Sequence, residues 1–172
     1  ISIISVGATG ATGPGGTINQ NEIGFGTGTG ITSSVNFTFD NTYKNLISGY
    51  NNSIVPGKNS VILGGGDNII NTPGDYNGSS IIGGNNNQIL GTLNNSNING
   101  GLSNTLIDSS ASSILGGQYN FIGTSSNSFI LGGEKNQINN VNNSFIINGY
   151  KYNTISGYGS NIIGGYQGNN IS

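Results

Sequence analysis

Few residues in this chain can do chemistry. Its carboxylates are Glu22, Asp40, Asp67, Asp75, Asp108 and Glu134, its cations are Lys44, Lys58, Lys135 and Lys151, and it contains no His, Cys, Trp, Met or Arg. A serine or cysteine nucleophile needs a neighbouring base, and general acid–base catalysis needs titratable groups in pairs. Here the carboxylates are scattered along 172 residues rather than clustered, so the sequence reads as a protein without catalysis. Zinc, copper and iron lack their usual ligands. Four lysines set against six acidic residues do not make the basic footprint that phosphate backbones require. No apolar run is long enough to cross a membrane. The reading therefore assigns no cofactor, no nucleic-acid partner and no membrane crossing within this segment.

Four stretches have residue types suited to binding. Gly64-Gly65-Gly66-Asp67-Asn68-Ile69-Ile70 looks locally like a turn of a calcium-binding roll. Such rolls repeat every nine residues with an aspartate in each turn, whereas the matching places here are Asn87, Asn104, Asn120 and Asn136, which offer carbonyl oxygen without charge. Asparagine tolerates left-handed backbone angles, and a Gly-Gly pair lets a chain corner, so the structural reading is preferred. The glycine run at residues 24–30 lacks the lysine and serine with which a phosphate loop holds its ligand. Tyr50, Tyr150 and Tyr166 directly follow a glycine, with Tyr119 one place further on, and a line of turn tyrosines would stack on sugars. Finally, Asp75 and Tyr76 place a charge and a ring beside the Pro73-Gly74 bend, in a segment that is three residues longer than its counterparts. If the chain has a ligand site, that loop is the expected place; a tolerated surface insertion is the plainer account.

These candidates hang on a repeat. Ser128-Phe129-Ile130-Leu131-Gly132-Gly133-Glu134-Lys135-Asn136-Gln137-Ile138 recurs in variant form, and the second glycine position falls at 49, 65, 84, 101, 117, 133, 149 and 165. The steps are 16, 19, 17, 16, 16, 16 and 16 residues, the signature of a solenoid with eight coils. Ile130 and Ile138 lie eight residues apart, half the period, and the pair recurs as Ile62/Ile70, Ile81/Ile89, Ile98/Leu106 and Ile114/Ile122, with a one-residue slip at Ile146/Ile155 and Ile162/Ile171. Half a turn apart means opposite walls, and side chains alternate across a strand. The expected fold is all-β: a two-walled parallel β-roll of about 16 residues per coil, filled by an isoleucine stack. At ~4.8 Å per strand it is about 40 Å long.

The outward faces predict assembly. On the first wall the outward place next to the glycines reads Ile47, Leu63, Ile82, Asn99, Leu115, Leu131, Ile147 and Ile163. On the second it reads Gln88, Thr105, Gln137, Thr154 and Asn170, with Ile69 and Phe121 as exceptions, and this wall is expected to face water. A continuous aliphatic stripe is too large to leave exposed, so it is expected to pack on further copies of the chain.

Ahead of the repeats, residues 1–16 carry glycine at every third position from Gly7 to Gly16, with Pro14, as in a collagen triple helix, where only glycine fits at the axis. This reads as the end of a longer stalk, and the opening Ile1 as the mark of a fragment or processed product. Residues 17–45 fit neither period and read as a β adaptor, with Val35-Asn36-Phe37-Thr38-Phe39 as a strand. The β-roll repeat domain then occupies residues 46–172.

The frame Ser-x-Ile-x-Gly-Gly-x-x-Asn-x-Ile, as in residues 112–122 and 128–138, resembles the head repeats of trimeric autotransporter adhesins. The resemblance spans residues 46–172. It implies a left-handed parallel β-roll, a homotrimer with strands at right angles to its long axis, and attachment to surfaces. Those adhesins have coiled-coil stalks, whereas the collagen-like flank here resembles the surface filaments of bacterial spores and the collagen-like fibres of large viruses. No binding residue carries over. The expected role is a structural component of an extracellular trimeric fibre on a cell, spore or virion surface, serving as a spacer or adhesive tip. The alternative is the receptor- or glycan-binding head of a phage or viral fibre. The expected partners are two further copies of the chain, end-to-end fibre contacts and host-surface glycan or protein.

Overall fold

The computed structural model describes residues 37–40, 42–73, 78–92, 95–147 and 149–172 with their side chains, and residues 22–26 and 31–36 as backbone. The collagen-like segment at residues 1–16, and Asp75 and Tyr76, lie outside the described residues.

Corners come first, because they set the coil. Non-glycine residues take left-handed angles in columns: Asn51, Asp67, Asn86, Ser103, Tyr119, Lys135 and Tyr152 at one corner, with φ between 53° and 57°, and Asn59, Asn95, Asn127 and Asn143 at another. Asparagine and aspartate are strained least in this region, which suits the asparagines found in these columns. Between corners run strands of two to four residues, such as Phe129–Leu131 on one wall and Gln137–Asn139 on the other. Among the described residues eight such strands line each wall, so the chain winds through about seven complete turns from the first pair to the last. Pairing along each wall is parallel and in register, for instance Ile114 to Ile130 to Ile146 to Ile162.

The interior is two facing columns of aliphatic residues. Ile62, Ile81, Ile98, Ile114, Ile130 and Ile146 oppose Ile70, Ile89, Leu106, Ile122, Ile138 and Ile155, and none has any exposure. Burying each contributes about 1.5–3 kcal/mol. Polar ladders seal the corners. Each asparagine from Asn52 to Asn153 accepts, at Oδ1, the backbone N–H of its counterpart one coil on, at 2.9–3.3 Å. Its Nδ2 donates to a glycine carbonyl of that next coil, as from Asn104 to Gly117 at 3.0 Å. A serine ladder seals another corner, with Ser128 and Ser144 each donating its N–H to the hydroxyl oxygen of the preceding serine at 3.2 Å.

Two short elements precede the first coil. Strand β1 (Glu22–Gly26) pairs antiparallel with β2 (Ile31–Asp40), and β2 pairs antiparallel with β3 (Asn45–Ser48), the first strand of the first wall. The hairpin thus covers the edge that β3 would otherwise expose, which is how solenoids avoid open ends. The expected strand at residues 35–39 is the C-terminal half of β2.

One outward assignment needs correction. Counting from the glycines puts Ile47 beside Leu63 on the stripe, but the register pairs Ile47 with Ile62. Ile47 therefore packs against the core, and Ser48 follows it in the outward place. The first coil is one residue short at this corner: three steps separate Ile47 from Tyr50, against four from Ile62 to Gly66, the residue bridged to Tyr50. The second wall is also less polar than its first column indicates. A second outward column runs Val55, Asn71, Leu90, Ile107, Gly123 and Asn139, so apolar residues are interspersed among polar ones on that side.

Candidate binding surface

The first wall presents Leu63 at 40 %, Ile82 at 50 %, Leu115 at 42 %, Leu131 at 37 % and Ile163 at 73 % exposure, with Ile147 half-buried among them. In-register pairing stacks Leu63 on Ile82, and Leu131 on Ile147 on Ile163, at the spacing of adjacent strands. A neighbouring column on the same face, one residue before each inward isoleucine, adds Phe129 and Phe145, whose rings stack at 5.0 Å between centroids. Alternation along the strand puts both columns outward, a consequence that counting from the glycines misses. The aliphatic column has one polar break, Asn99, and the neighbouring column is polar at Ser80, Asn97, Ser113 and Asn161, where Ser80 donates from its hydroxyl to Asn97 Oδ1 at 2.7 Å.

The corner beyond the glycines carries the second candidate. Tyr50, Gly66, Asn85, Leu102, Gln118, Glu134, Lys151 and Gln167 form one bridged column. In the column beside it, the Lys135 ammonium lies 5.8 Å from the ring centroid of Tyr119 and 5.2 Å from that of Tyr152. Lys135 Nζ also donates to the Tyr152 hydroxyl at 3.3 Å. Glu134 Oε1 accepts an ion pair from Lys135 at 3.2 Å and from Lys151 at 3.3 Å, and the Lys151 ammonium is 5.6 Å from the Tyr152 ring. The hydrogen bond from Lys135 and, against some desolvation, the hydrogen bond and charge of Lys151 hold the Glu134 carboxyl below its ordinary value. The Tyr152 hydroxyl, then Glu134, raise Lys135.

The predicted tyrosines do not form one line. Tyr119 joins Lys135 and Tyr152, while Tyr150 stacks on Tyr166 at 5.3 Å and 18°. Tyr50 lies over Gly66, four coils before Tyr119. Tyr150 and Tyr166 belong to the longer corners of the last two coils: four steps run from Ile147 to Lys151 and from Ile163 to Gln167, against three from Leu131 to Glu134. The additional residue widens each corner, and 16-residue spacing brings the two rings together. Tyr152 escapes the glycine-based count because of the same slip; the signal that finds it is its place, 17 residues after Lys135, in the left-handed column. This corner offers ammonium donors, π faces and a single carboxylate, which is the chemistry of recognition.

Compared with known proteins, the chain matches no family model, no curated protein and no solved structure, so the role of this surface rests on its own geometry.

Proposed function

We propose that this chain is a structural segment of an extracellular homotrimeric fibre, packed copy against copy through its first wall, serving as a spacer or adhesive tip without catalysis. The observation that carries this reading is the exposed aliphatic column Leu63, Ile82, Leu115, Leu131 and Ile163, widened by Phe129 and Phe145. Left in water, such an apolar surface forgoes about 25 cal/mol for every Å² that association would bury. Three copies, rather than two, follow from the collagen-like triplets at residues 7–16, which wind only as three chains. The scattered carboxylates and the missing His and Cys support a role without catalysis.

Light scattering at micromolar concentration tests the reading. The expected mass is three times the 17.5 kDa of the chain, and a folded, soluble species of 17.5 kDa overturns it. A receptor- or glycan-binding head is the second reading. The Lys135 and Lys151 cluster with its tyrosines favours it, and a fibre tip accommodates both roles.

A further inference from the structure

We infer that Tyr119, Lys135, Lys151 and Tyr152 form a binding site for a carboxylated sugar, a uronic or sialic acid unit of a glycan. Two of the chain's four lysines meet here, in adjacent coils, on a protein whose net charge is −2. Their two positive charges share one carboxylate oxygen, Glu134 Oε1, at 3.2 and 3.3 Å, so the cluster keeps one positive charge that a single carboxylate would balance. The lysine side chains remain 39 % and 28 % exposed, within reach of a ligand in solution.

The rings argue for a sugar rather than a bare anion. Tyr119 and Tyr152 are 49 % and 47 % exposed, and a pyranose offers an apolar C–H face to such rings while its hydroxyls take hydrogen bonds. Tyr150, immediately before Lys151, stacks on Tyr166 of the next coil and offers a second pair of rings for a neighbouring sugar unit. The site is also held in shape before any ligand arrives. Tyr119, Lys135 and Tyr152 sit at fixed left-handed angles of 55°, 53° and 57°, and Lys135 is already placed between the rings, which lowers the ordering cost of binding. This inference rests on the binding-head reading and lies within one chain. A monomeric protein that binds therefore refutes the trimer alone, and a trimer that fails to bind refutes this site alone.

The test is a nuclear magnetic resonance titration of the folded chain with sialyllactose, with a glucuronic-acid disaccharide and with lactose as the neutral control. The expected result is a set of amide shifts confined to residues 118–120, 134–136 and 150–153 with at least one acidic sugar, at a dissociation constant of about 1 mM, and none with lactose. In about 1 M salt, where screening reaches within ~3 Å, those shifts shrink. Lys151→Gln should weaken binding about tenfold, as should Tyr152→Asn, which keeps a residue suited to the left-handed angle. If Tyr152→Asn does not fold, Lys151→Gln alone decides. The inference falls if neither acidic sugar shifts these amides at about 10 mM, if lactose binds equally well, or if Lys151→Gln binds as the parent chain does.

Discussion

Asn120 donates its backbone N–H to the side-chain Oδ1 of Asn104 at 3.0 Å, and both residues are buried. The same asparagine then sends its Nδ2 to Gly133 O at 3.0 Å, in the coil beyond. One residue thus ties both neighbouring coils, the preceding one through its backbone N–H and the next through its side chain, at the corner where the strand ladder is interrupted. A buried amide without a partner is costly, so the ladder is a structural requirement of the corner.

Removing one rung tests this. Asn120→Ala leaves the buried Asn136 N–H without its partner, a loss of about 1–3 kcal/mol, while the Gly133 carbonyl keeps the Gln118 N–H at 2.9 Å. Asn169→Ala, at the exposed end of the ladder, should cost under about 1 kcal/mol. Denaturant midpoints of the two variants measure the difference, and equal losses would contradict the role assigned to the buried rungs.

The two glycines of a corner should respond unequally. Gly132 has φ +74° with open space where a Cβ would go, so Gly132→Ala should cost only the left-handed penalty of about 1–2 kcal/mol. At Gly133, with φ +89°, a Cβ would overlap the Gly149 carbonyl oxygen of the next coil. Gly133→Ala should therefore lower the melting temperature several times further than Gly132→Ala.

On the proposed interface, Leu131→Asp should convert the assembly into folded monomers, because burying an unpaired carboxylate costs several kcal/mol per chain. Asn99→Leu should do the reverse, filling the polar break in the stripe and lowering the concentration at which the assembly dissociates. Sedimentation across a dilution series reads both, and a Leu131→Asp protein of unchanged mass would exclude this face.

Stability should vary little with pH over a wide central range. Glu134 is lowered from 4.5, so its contribution is present above that value and fades as pH falls through the lowered one. Lys135 is raised from 10.5, so its contribution is complete below that value and fades as pH climbs through the raised one. Both groups are open to solvent, so the changes at either extreme should be small and should vanish in high salt. A steep dependence between pH 6 and 9 would point to another group.

Chelation should leave the fold untouched. Asp67, the carboxylate of the calcium-like stretch, accepts a hydrogen bond from Asn51 Nδ2 at 2.6 Å and so stands in for an asparagine of its column. The melting temperature in EDTA should equal that in excess calcium, and a drop of more than ~10 °C would restore the metal-binding reading.

The sequence alone determined the period, the two walls and which residues fill the core. A 16-residue repeat with isoleucines eight apart puts them on two facing walls, because alternation along a strand is local and needs no partner to enforce it. Outwardness next to the glycines was legible for Leu63, Ile82, Leu115, Leu131 and Ile163 on the same grounds. Only the tertiary structure decided what depends on how one coil lies on the next. Ile47 turns inward because its corner is a residue short, and Tyr150 and Tyr166 meet because theirs are a residue long. Counting along the chain carries such slips forward, whereas stacked coils absorb them at the corner so that the strands and the asparagine ladder stay paired. Tyr152 reaches Lys135 for the same reason: the two are 17 residues apart in sequence and neighbours in the stack.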